Sequence, residues 1–143
     1  MNPTTSFVLV TLAGVFYAAG VGYQMRMREP AAKDALVHLG LTGTGVVLNA
    51  IPVFALMIPA TDWSSVESVL HATLGLVALA MIAVLVLIGT GLFRYKLRSG
   101  LYATRSDDAF TRKVRRILRR GGAVWAVAWV AAYLTGIGLY LGG

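Results

Sequence analysis

The chain predicts an all-α fold: an integral membrane four-helix bundle, one domain over residues 1–143. Three observations carry this. Only 13% of the residues are charged and 57% are hydrophobic, where a soluble domain has about 25% charged. Met1–Met25, Ala35–Thr61, Ser68–Phe93 and Gly121–Gly143 contain no Asp, Glu, Lys or Arg, and each exceeds the roughly 20 apolar residues that cross a bilayer. These stretches are apolar on every face, which suits lipid-exposed helices and not the alternating strands of a barrel. The expected spans are about 5–24, 34–58, 66–93 and 121–141.

Charge orients the spans. All 13 Lys and Arg residues lie in two connections. Arg26, Arg28 and Lys33 lie between spans one and two, and the rest, from Arg94 to Arg120, between spans three and four. The connection between spans two and three has Asp62 and Glu67 and no base. Basic short loops stay on the cytoplasmic side. Both termini are therefore expected outside, in a multi-pass protein of the cytoplasmic membrane. The net charge of +7 reflects topology and attraction to anionic lipid head groups, with no nucleic-acid partner implied. Cysteine is absent, which excludes disulfides and thiolate metal sites.

Span one lacks the basic start of a signal peptide. It repeats the small residues Gly14, Ala18 and Gly22, and span four repeats Ala128, Ala132 and Gly136. Small residues at four-residue spacing let helix backbones approach in lipid, so both rows are expected packing faces, in this chain or towards a second copy or a larger membrane complex.

Span two carries Pro52, which removes a ladder hydrogen bond and loosens the helix. Its Asn49 needs a polar partner in an apolar setting, and a helix–helix hydrogen bond is the expected one. Span three opens after "TDWSSVES", where Asp62 or Ser64 is the expected cap. The loop before span four reads "SDDAFTRKVRRILRR", with Ser106 as the expected cap. Phe110, Val114, Ile117 and Leu118 share one side; Arg112, Lys113, Arg115, Arg116, Arg119 and Arg120 fill the remainder. That pattern predicts a basic amphipathic helix on the cytoplasmic membrane surface. Gly121-Gly122 is the expected turn into span four.

The two histidines are the main chemistry. His38 falls near the inner end of span two and His71 near the outer end of span three. They are separated by roughly 20 Å along the membrane normal, so they cannot share one metal within a chain. Gly40 lies near His38, and Gly75 lies one turn from His71 on the same side. A ring plane against either helix would use such gaps. Helix packing uses them equally. Haem b ligation and plain hydrogen bonding both remain open at this stage. No carboxylate sits in a span core, and no nucleophile triad, zinc motif or nucleotide loop appears, so neither an enzyme nor a resident metal is expected.

Lys33 and His38 at the start of span two, "LHATLGLVALAMIAVLVL" opening span three, and Trp125 with "YLTGIGLYL" form a further pattern. This pattern resembles a small four-span family that includes a bacterial assembly factor for haem-copper cytochrome oxidase. It is also somewhat similar to small b-type membrane cytochromes. The resemblance maps His38, His71, Trp125, Thr135 and Gly136. It implies a place in respiratory haem chemistry, by haem b binding and electron transfer or by oxidase assembly. The family's further histidine before span four is missing from "TRKVRRILRR". The alternatives are a structural accessory subunit and a small dimeric transporter.

Overall fold

A computed structural model describes residues 3–26 and 31–142. Helix α1 is Pro3–Met25, α2 is Ala32–Pro52, α3 is Val66–Arg98 and α4 is Ala109–Gly142. Between α2 and α3 the chain makes a π-helical stretch, Val53–Met57, and one further helical turn, Ile58–Ala60. Four helices, over Thr4–Met25, Ala32–Ala60, Val66–Arg98 and Ala109–Leu139, are long and apolar enough to cross a membrane. Arg28 lies outside the described residues.

The helices pair as two antiparallel hairpins, α1 with α2 and α3 with α4. α2 packs on α3 and joins them. α1 and α4 meet mainly through aromatic side chains. Tyr17 stands edge-on to Trp125 at 4.6 Å, and Phe7 stacks on Tyr133 at 5.7 Å. Burial is therefore concentrated in a narrow cluster, with Ala13, Tyr17, Val53, Ala78, Leu79, Ile82 and Trp125 at its centre. The α1 face that packs is Ala13, Tyr17 and Gly20; Ala18 and Gly22 are exposed. The expected Gly14/Ala18/Gly22 face is thus rotated. Large Tyr17 takes the interface because Gly45 on α2 leaves space for its ring, 2.6 Å from where a Cβ would stand. Gly14 still serves contact, beneath the Trp129 indole. On α4, Ala132 is buried and Ala128 and Gly136 are half-buried.

The ends of the elements are set by side chains. The Asp34 carboxylate accepts from the Ala31 N–H at 2.9 Å and from the Tyr23 hydroxyl at 3.1 Å, tying the first hairpin's base. Pro52 has no N–H to give Leu48, and the helix widens into the π stretch directly after it. The cap of α3 is Ser65, not Asp62 or Ser64: its hydroxyl accepts from the Ser68 N–H. Asp62 instead accepts from both the amide and the hydroxyl of Ser64, at 2.9 and 2.6 Å. Those bonds hold its carboxyl below the usual range. α3 stops at Gly100, whose φ of 71° is left-handed. There Leu101 N–H reaches the Lys96 carbonyl at 3.1 Å, closing the helix end.

Two expectations about the basic loop need correction. The cap of α4 is Asp108 in place of Ser106, with Thr111 N–H donating to Asp108 Oδ1 at 2.7 Å. And α4 has no turn at Gly121-Gly122; one helix runs from Ala109 to Gly142. A Cβ at Gly121 would meet Leu85 of α3 at 2.8 Å, so this glycine serves close packing. Val114 and Leu118 are half-buried and Phe110 lies edge-on to Tyr95 at 4.8 Å. Part of the apolar row is spent on contacts within the hairpin, while Ile117 is exposed. With 33 and 34 residues, α3 and α4 are each about 50 Å long. A hydrocarbon core is about 30 Å thick, so each of these two helices is longer than such a core.

Candidate functional site

At the end opposite the basic loops, the two hairpins separate around a cavity of about 550 Å³, within the usual range for ligand sites, about 300–1,000 Å³. Its rim includes Ser6, Phe7, Ala60 and Leu139. Its inner wall includes Asn49, Val53, Met57, His71, Gly75 and Trp129. Among the described residues, no Asp, Glu, Lys or Arg lines it. The π stretch faces this cavity through Val53, Leu56 and Met57. A π turn inserts an extra residue and re-aims the side chains around it.

His71 is fixed by α4. Its Nδ1 lies 3.0 Å from the Ala132 carbonyl and 3.1 Å from the Thr135 hydroxyl oxygen. The carbonyl can only accept, so Nδ1 carries the hydrogen and Nε2 keeps a lone pair. Nε2 makes no hydrogen bond with a described residue. The ring rests over Gly136, where a Cβ would stand 2.8 Å from Cε1. His71, Thr135 and Gly136, distant in sequence, are one unit.

Asn49 is the second polar group. It is 4% exposed and lines the cavity. Its amide makes no hydrogen bond with any described residue. The expected helix–helix hydrogen bond is therefore absent among those residues. Ala78 of α3 and Trp129 of α4 line the same cavity. Tyr133 and Thr11 close the α1 side at 3.0 Å; since Thr11 already donates to the Phe7 carbonyl, Tyr133 donates here.

His38 is elsewhere. Its Nδ1 donates to the Gly20 carbonyl of α1 at 2.9 Å, inside the first hairpin. Gly40 is exposed, with nothing within 4 Å of a Cβ. The two histidines thus do the same thing in different hairpins: each ties its ring to a neighbouring helix backbone.

The fit of a haem can be judged on the glycines. A porphyrin beside His71 needs a flat vacant face. The gap at Gly75 is filled by Met57, whose sulfur lies 2.8 Å from a would-be Cβ. The gap at Gly136 is filled by His71 itself. The residues present do not fit a haem at either gap. No group of three or more His, Cys, Asp or Glu that could hold a metal occurs among the described residues.

The chain matches a family over residues 2–142. It belongs to the family described as Domain of unknown function (DUF7321). The match takes in all four helices, so the cavity and the basic hairpin lie within the family's domain. No curated protein and no solved structure matches the chain.

Sequence reading found His71 and Asn49 but not the cavity. The missed residues are Met57, Trp129 and Tyr133. The aromatic spacing Trp125, Trp129, Tyr133 at four-residue steps was the available signal for a wall facing α1.

Proposed function

We propose that this is a non-enzymatic binding protein of the cytoplasmic membrane, holding a neutral amphiphile in the cavity between its hairpins. The observation that carries this is Asn49, 4% exposed at the cavity wall and making no hydrogen bond with a described residue. An unpaired amide in an apolar setting costs roughly 1–3 kcal/mol, and a ligand with a hydroxyl or carbonyl head removes that cost. His71 Nε2 accepts from such a hydroxyl. Asn49 both donates and accepts. The hydrocarbon body lies along Phe7, Val10 and Ile137. With no charged wall, an ionised ligand has nothing to compensate its desolvation.

The basic loops orient the cavity mouth to the outside, so the ligand comes from the outer leaflet. A place in respiratory haem chemistry rests on the sequence resemblance alone, and the filled gaps at Gly75 and Gly136 weigh against a haem seat. The test is organic extraction and mass spectrometry of the purified protein and of Asn49→Leu. A hydroxyl- or carbonyl-headed neutral lipid enriched in the first and lost in the second supports the reading. Extracts that match the bulk membrane in both, or a haem absorption band in the first, refute it.

A further inference from the structure

A second site lies at the opposite end of the molecule, on the lipid-facing side of α3. Arg94, Tyr95 and Arg98 are exposed there, with Gly91 one turn before and Ser99 after, and together they line a groove. Arg94 and Arg98 make no ion pair with a described residue. The neighbouring cations are different: Lys96 and Arg115 are both engaged by Asp107. The near carboxylates are thus already occupied, Asp107 by these two and Asp108 by the Tyr95 hydroxyl.

The groove continues into hydrocarbon. Gly91 has open space where a side chain would be. Above it on the same face come Leu87, 71% exposed, and Val84, 53% exposed. The uncharged stretch before Arg94 begins at Ser68 and is about 39 Å long as a helix. That exceeds the core and brings the arginines to head-group level. Tyr95 forms one wall, held by Phe110 and by Asp108.

We propose that this face binds an anionic phospholipid, its phosphate held between Arg94 and Arg98 and one acyl chain laid over Gly91. Guanidinium forks match phosphate oxygens bidentately. An anionic head group is preferred because a choline or ethanolamine cation would be repelled by the two free arginines. The site is independent of the cavity.

The test uses the full chain in mixed micelles of phosphatidylglycerol and phosphatidylcholine, with retained lipid counted by native mass spectrometry. The wild type should retain phosphatidylglycerol preferentially. Arg94→Gln and Arg98→Gln should each lower that preference about fivefold, the equivalent of one interfacial basic residue. Gly91→Leu, which touches no packed side chain, should lower it by obstructing the chain. Arg105→Gln, exposed in the connection before α4, should leave it unchanged. The proposal is overturned if that control loses as much preference, if inorganic phosphate displaces the lipid, or if Gly91→Leu binds as the wild type does. Should the arginine variants not fold, the glycine variant decides alone.

Discussion

The Cβ that Gly136 lacks would stand 2.8 Å from Cε1 of His71. The glycine is what permits the imidazole to lie across α4 and donate to the Ala132 carbonyl. Gly136→Ala should push the ring off this bond, at a cost of about 1–3 kcal/mol from overpacking. The check is the His71 nitrogen spectrum: the Nδ1–H tautomer in the wild type should give way to a mixture. An unchanged tautomer in the variant would refute the link.

Tyr17 buries its hydroxyl without a partner among the described residues. Tyr17→Phe keeps the ring against Gly45 and Trp125 and removes that orphan. Thermal unfolding in detergent should shift upward, by an amount equivalent to about 1 kcal/mol. A clear fall would mean that the hydroxyl holds something, such as a bound water. Gly45→Ala should do the opposite, strongly, because the Tyr17 ring has no room to move.

Asn49→Leu should stabilise the ligand-free protein, again by about 1 kcal/mol, since a lone buried amide is replaced by an apolar side chain. If the variant is less stable even after complete lipid removal, the amide is satisfied and the cavity reading loses its basis.

Lys96 is 5% exposed and bonded to Asp107 at 2.7 Å, with the Tyr102 ring 4.7 Å away. Asp107→Asn leaves that ammonium buried without its counter-charge. Removing one partner of a buried pair costs roughly 3–5 kcal/mol, and the partly exposed aspartate puts this case at the low end. Protease cutting in the segment 99–108 should increase. Lys96→Met with Asp107→Asn should recover most of the loss; failure to recover would show that the pair is not the cause.

Asp108 has its carboxyl held below the usual range, first by the Tyr95 hydroxyl and then by Thr111. A lowered carboxyl contributes stability that is full above the unfolded value near 3.9 and is lost as pH falls through the folded value. The start of α4 should therefore stay protected down to about that pH and fray only below it. Hydrogen exchange of the Thr111 amide, corrected for its intrinsic rate, reads this directly. Fraying already near neutral pH would contradict it.

The four helices were legible because hydrophobic length alone specifies a span. Element ends were less so. Asp62, Ser64, Ser65 and Ser106 to Asp108 are all competent caps, and which one is used depends on how the following hairpin closes. Gly121-Gly122 carried two readings, a turn or a close contact, and only the position of Leu85 separates them. The same ambiguity hid the α1 interface. A row of small residues predicts approach, yet a large ring on a glycine achieves it equally well, as Tyr17 on Gly45 does. The cavity could not be read at all, since it depends on the π stretch that follows Pro52 and on the aromatic side chains between α1 and α4.

The pairing of neighbouring helices into hairpins bears on how the protein is made. α1 and α2 carry the contacts of their shared interface, Tyr17 on Gly45 and His38 to Gly20, within one hairpin, so these contacts need nothing from α3 or α4. The second pair closes on Asp107 and His71 in the same self-sufficient way. Biogenesis then reduces to the lateral docking of two finished halves, and the cavity comes into being only at that last step.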